Sequence, residues 1–155
     1  MQEIALDTFD RRLLMALQQD AARTNAELGD AVGLSASQIS RRRDRLVEAG
    51  VIRRYRVELE PSAVGLDVIA FVRVTLAAHS GDNARRFRDL VRITPEILEA
   101  HAVTGGTDYL LKLAVYDLKA LSKLVSETLL PHKSVARVQS EIVLESLKEE
   151  HVLPV

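Results

Sequence analysis

Two four-residue signatures, Thr24-Asn25-Ala26-Glu27 and Ser35-Ala36-Ser37-Gln38, stand on either side of Gly33. Each puts a hydroxyl at a helix N-cap and a carboxylate or amide three residues on, so that side chain and backbone exchange hydrogen bonds. A short helix with Leu28 and Ala31 or Val32 inward is therefore expected before a tight turn at Gly33. A second helix, carrying Ile39, Leu46 and Val47 inward, follows and stops at Gly50, a residue suited to the position after a helix. Upstream, Phe9, Leu13, Ala16 and Leu17 recur at i, i+4, i+7 and i+8 behind Asp7 as N-cap, which adds a first helix. Two capped helices joined by a short glycine turn form a helix-turn-helix. Residues 1–52 are expected to be a winged-type domain of this kind.

The formal net charge is only −1, but its distribution is uneven. Arg41, Arg42, Arg43, Arg45, Arg53, Arg54 and Arg56 crowd one stretch, against Asp44 and Glu48. A basic patch on a near-neutral chain is an electrostatic footprint for nucleic acid. In this motif the second helix enters the major groove of double-stranded DNA. Ser35, Ser37, Gln38, Ser40, Arg41 and Arg42 are then placed to meet base edges, where Gln pairs with adenine, Arg with guanine and Ser with either. Arg45, Arg53 and Arg54 are better placed for phosphates, which position without reading sequence. The plain alternative is a three-helix bundle with a solvated arginine face. Against it stands the coincidence of caps, glycine turn and arginines in one register. Tyr55 either stacks on a base or packs in the linker.

The chain of 155 residues, 47% hydrophobic and 28% charged, suits one domain or two small ones. It has no cysteine, so disulfides and thiolate metal sites are excluded. Its first residues lack an apolar segment of the secretory kind, and no run approaches the roughly 18 apolar residues of a membrane span. A cytoplasmic location is expected. His79, His101, His132 and His151 are scattered without metal-ligand spacing, so no metal is expected; His101 reads as a structural histidine. No P-loop, nucleophile elbow or zinc-protease motif occurs. No cofactor and no enzymatic activity are expected.

Beyond Gly50, residues 53–66 read as a linker strand broken at Pro61, with residues 67–155 as a second domain. Val68 to Leu76 is rich in β-branched residues and reads as a strand. A helix with Phe87, Leu90 and Val91 inward closes before Pro95. Ile97 to Thr104 and Asp108 to Tyr116 read as a strand pair turned at Gly105-Gly106. Asp117 caps a helix with Leu121, Leu124, Val125 and Leu129 inward, and Val135 to Lys148 is a last strand with a tail. This βαββαβ order is ferredoxin-like and makes the whole chain α+β. One sheet face is left open, and a second copy is its simplest cover, so at least a dimer is expected.

With these stretches in place, the chain resembles the leucine-responsive/asparagine (Lrp/AsnC) family of feast-or-famine transcriptional regulators. The resemblance rests on Leu6-Asp7-Thr8-Phe9-Asp10-Arg11-Arg12-Leu13-Leu14, on Gly33-Leu34-Ser35 and on Arg45-Leu46-Val47-Glu48-Ala49-Gly50-Val51-Ile52. Val103-Thr104-Gly105-Gly106-Thr107-Asp108-Tyr109-Leu110-Leu111 is the most specific stretch. The tail, Leu144 to Pro154, resembles a subgroup sensing branched-chain or sulfur-containing amino acids. The resemblance implies sequence-specific regulation by dimers assembled into tetramers or octamers. It also implies a small effector, usually an amino acid, held between dimers. By position, Thr104, Gly105, Gly106, Asp108 and Tyr109 line that site, with Val138 and Ser140 opposite. The plain reading of the same residues is a hairpin turn at the glycines, capped by Asp108. Two departures stand out: Val138 and Ser140 replace threonines common in relatives, and Arg43 occupies a commonly apolar position. A nucleoid-type architectural protein with weak sequence preference is the alternative function.

Overall fold

The computed structural model describes residues 5–78, 80–150 and 152–155. His79 and His151 lie outside them. Three helices come first: α1 (Thr8–Gln19), α2 (Asn25–Val32) and α3 (Ala36–Glu48). All three open on complete capping boxes, at Asp7/Asp10, Thr24/Glu27 and Ser35/Gln38. Each such cap contributes about 1 kcal/mol by satisfying otherwise orphaned N–H groups. The turn after α2 needs two glycines. Gly33 adopts φ +83, and the N–H groups of Gly33 and Leu34 both donate to the Gly29 carbonyl. A β-carbon on Gly29 would collide with the Leu34 carbonyl oxygen, so this buried glycine sets how closely α2 and the turn approach. α3 ends in a Schellman turn: Gly50 has φ +73, and Val51 N–H donates back to the Leu46 carbonyl at 2.9 Å.

Leu13, Leu14, Ala16, Leu17, Leu28, Val32, Ile39 and Leu46 form the core of this region. Two expected core positions are exposed instead, Phe9 and Val47. On α1 the Asp7–Asp10 box carries Asp10 inward in place of Phe9. On α3 the Schellman turn folds Val51 and Ile52 against the core, leaving Val47 outside it. The expected linker strand and wing do not form among the described residues. Residues 53–60 are exposed, and none of them lies in a described strand.

The chain divides into two compact units, Met1–Glu58 with Lys148–Val155, and Leu59–Leu147. By its contacts the tail, Lys148–Val155, groups with the helical unit. Gln18 at the end of α1 explains it. Its Oε1 accepts the Leu153 N–H at 2.7 Å, and its Nε2 donates to the Leu153 carbonyl at 3.1 Å.

The second unit runs β1 (Val68–Leu76), α4 (Gly81–Ile93), β2 (Ile97–Ala102), β3 (Tyr109–Val115), α5 (Leu118–Lys123) and β4 (Val135–Ile142), with a π-helical turn, Leu124–Leu129, continuing α5. The sheet order is β2-β3-β1-β4 and every pairing is antiparallel, the ferredoxin-like arrangement expected. β4 stops at Ile142, short of Lys148, because Ile142 pairs with Ala70 near the start of β1. Strand alternation sends Ala70, Val72, Val74, Leu111, Leu113 and Val115 to one face, where Phe87, Leu121, Leu124 and Leu129 cover them. Ile69, Phe71 and Leu110 alternate to the other face and stay half-buried. No helix of the described residues is long and apolar enough to cross a membrane.

Candidate nucleic-acid interface and effector turn

The arginines of α3 have unequal surroundings. Asp10 of α1 is fully buried, and two of them converge on it. Arg42 Nη1 donates to Asp10 Oδ1 and to Asp7 Oδ2, both at 2.7 Å, with its guanidinium 5.5 Å from the centre of the Phe9 ring. Arg45 Nη2 donates to Asp10 Oδ2. The Asp10 backbone N–H and then the Arg42 guanidinium hold the Asp7 carboxyl below its ordinary value, and the two aspartates raise Arg42. A buried carboxylate demands such partners, so Arg42 joins α1 to α3. Arg43 is also engaged: it donates to Asn25 Oδ1 at 2.8 Å and to the Tyr55 hydroxyl at 3.3 Å, and its guanidinium lies over the Tyr55 ring. Tyr55 therefore packs on an arginine at the chain's exit from the helices.

Ser37, Gln38, Arg41 and Arg45 are exposed, while Ser40 is half-buried. Gln38, Arg41, Arg42 and Arg45 line one open concavity, spaced i, i+3, i+4 and i+7 along a single stripe of α3. Gln38 Oε1 accepts the Ser35 N–H at 3.0 Å, so a two-point contact with adenine competes with the cap. The Ser35 and Ser37 hydroxyls lie 3.1 Å apart. Arg53 and Arg54 are exposed on the chain following α3. The residue that sequence reasoning missed is Asp10. Its signal was the Asp7-Thr8-Phe9-Asp10 spacing, a capping box with aspartate in the third position.

The turn between β2 and β3 is built on Asp108. Its Oδ2 accepts the Leu76 N–H at 2.7 Å, its backbone N–H donates to the Val74 carbonyl, and its carbonyl accepts the Val103 N–H. These bonds fasten the turn to the end of β1. Thr104, Gly105 and Gly106 stand exposed beyond it, with Gly105 at φ +115. Tyr109 is half-buried, its ring centre 4.8 Å from that of Phe87 on the helix side of the sheet. Val74 lies opposite both Tyr109 and Val138, and Val72 opposite both Leu111 and Ser140. Tyr109 and Val138 thus share one cross-strand row with β1 between them, and Ser140 sits one row further along. His101 of β2 lies 3.2 Å from Glu99, both side chains exposed.

The AsnC-type helix-turn-helix domain matches residues 6–47, and the Lrp/AsnC ligand binding domain matches residues 69–153. The chain belongs to the Lrp/AsnC family of transcriptional regulators. Within that family it is 37% identical to the leucine-responsive regulatory protein of Escherichia coli over 148 residues, 96% of this chain and 90% of the relative. It is 36% identical to the HTH-type transcriptional regulator AldR of Mycolicibacterium smegmatis over 143 residues, 92% of this chain and 84% of that one. A Neisseria meningitidis transcriptional regulator, solved as an L-methionine complex, superposes with a TM-score of 0.94 at 40% identity, covering 97% of both chains. Lrp/AsnC proteins carry a DNA-binding helix-turn-helix and a ligand-binding domain; here these are α1–α3 and the ferredoxin-like sheet.

Proposed function

We propose that this chain is a sequence-specific regulator of the cytoplasm that reads duplex DNA with the outer stripe of α3. It acts as a sheet-paired dimer or a higher multimer, and an apolar amino acid sets its DNA affinity. The observation that carries the reading is the split among the α3 arginines. Arg42 and Arg43 are held by the protein itself and Arg45 pairs with Asp10 while staying half-exposed, whereas Arg41 faces solvent on the same stripe. Arg41 and Ser37 are the base readers in this view, and Arg45, Arg53 and Arg54 the phosphate contacts. Arg42 acts indirectly, by fixing α3 against α1.

The effector, methionine or a branched-chain amino acid, occupies the exposed Thr104–Gly106 turn, with Tyr109, Val138 and Ser140 completing the site in the assembled protein. The methionine complex of the Neisseria relative supports that choice. Backbone N–H groups of the glycine turn receive the effector carboxylate, which glycine permits by close approach. Asp108 serves by holding the turn to Leu76. A β-carbon at Gly106 would meet no atom within 4 Å, so Gly106→Val intrudes on the ligand rather than on the fold.

The test is a thermal-shift screen of the amino acids on wild type and on Gly106→Val, paired with gel shifts on the protein's own promoter across salt concentrations. A ligand that binds the native state alone raises its melting temperature. The expected result is a methionine- or leucine-dependent shift in wild type, lost in the variant, and DNA binding that weakens steeply with salt. No shift with any amino acid would refute the effector assignment. Binding indifferent to DNA sequence would refute the specific regulator and favour the architectural alternative.

A further inference from the structure

We propose that the outer face of α4 is a second DNA-contacting surface, one that binds the phosphate backbone outside the duplex read by α3. The proposal rests on the DNA-binding reading above and concerns a different domain. Four of the ten Lys and Arg residues between Leu59 and Leu147 fall on α4: Arg85, Arg86, Arg88 and Arg92. The same segment holds eleven Asp and Glu residues, so this helix gathers positive charge in a slightly acidic unit. Only Phe87 of α4 is fully buried, against the sheet core. Arg85, Arg88 and Arg92 recur at i, i+3 and i+7 on the opposite side, and with Gly81 and Asp89 they line one open concavity.

All four guanidinium groups are solvated, the Arg85 and Arg92 side chains being 71% and 82% exposed. Their present partners lie within α4 itself. Arg85 and Arg86 share Asp82, Arg92 is 4.0 Å from Asp89, and Arg88 donates to the Ala84 carbonyl. Exposed pairs one helical turn apart are weak and screened by salt, so a phosphate displaces them at little cost. Arg85 and Arg92 are about 10 Å apart along a helix axis rising 1.5 Å per residue. That spans about three phosphates of one strand at about 3.4 Å of duplex axis each. The planar fork of Arg matches phosphate geometry in a way that Lys does not.

A stripe of this kind carries no base recognition. It extends contact along DNA that runs past the operator. The experiment compares wild type with the triple variant Arg85→Gln/Arg88→Gln/Arg92→Gln, whose exposed glutamines keep helix propensity. Affinity is measured against salt on a short operator duplex and on a duplex several times longer. On the long duplex, the slope of log affinity against log salt is expected to fall by about 1 for each arginine that meets a phosphate. The short-duplex slope is expected to stay unchanged. Asp89→Asn, which removes a competing carboxylate, should steepen the long-duplex slope. Unchanged slopes on the long duplex in both variants would overturn the proposal, as would equal losses on the two duplexes. Wild-type protein binding neither duplex would instead refute the reading of α3 on which this rests.

Discussion

On α3, Arg42 and Arg45 reach across to Asp10, a fully buried carboxylate on another helix. On α4, Arg85 and Arg86 reach only to Asp82, one turn back on the same helix and open to water. The two helices carry four arginines each, yet the first set is partly architecture and the second wholly surface. What separates them is the site of the carboxylate. A buried acid must be paired, so its partners are held wherever the fold requires them. An exposed acid makes pairs that compete on equal terms with water, salt and phosphate. An arginine count alone therefore says little about which guanidinium groups are available to DNA.

Asp10→Asn breaks the comparison most directly. It keeps volume but removes the charge that two guanidinium groups share, and should destabilise the helical unit by about 2–3 kcal/mol. Denaturant unfolding of the full chain would report it, and Asp82→Asn should move the same curve far less. Gly29→Ala comes next. The collision of its β-carbon with the Leu34 carbonyl should cost about 1–2 kcal/mol, while Gly81→Ala on α4, where the added carbon meets nothing within 4 Å, should not destabilise. Gln18→Ala removes two exposed hydrogen bonds to Leu153, an effect of about 1 kcal/mol or less, read most sensitively as faster proteolysis of the tail.

The smallest effect is the dependence on pH. The Asp7 carboxyl titrates below its ordinary 3.8, so its contribution is complete above that value and is lost as pH falls through the lowered one. Wild type should thus exceed Asp7→Asn in stability at neutral pH. The gap should close in acid below about pH 4.

The capping boxes at Thr24 and Ser35, the Gly33 and Gly50 turns and the order of the strands were legible in the sequence, because each is written in adjacent residues or in a simple period. The Asp10 cluster was not: the spacing from Asp7 marks a capping box, but the arginine partners stand 32 and 35 residues away. Phe9 and Val47 were misplaced for related reasons. One was displaced by that carboxylate, and the other by Val51 and Ile52 folding back from the Schellman turn. Docking of the tail on Gln18 involves a contact across 135 residues and has no period to betray it. In the sheet, the residues of the glycine turn were recognisable by resemblance, but Asp108's bond to Leu76 emerges only once β1 lies beside β3.

The division of labour on α3 is tested most directly by Arg41→Gln and Arg42→Gln, each measured for melting temperature and for affinity to a short operator duplex. Arg41→Gln should weaken binding by about 1–3 kcal/mol with the melting temperature unchanged, if its exposed side chain contacts DNA as proposed. Arg42→Gln should lower the melting temperature, with any loss of affinity following from the loosened helix. A melting temperature untouched by Arg42→Gln while DNA binding vanishes, together with full affinity in Arg41→Gln, would contradict the account.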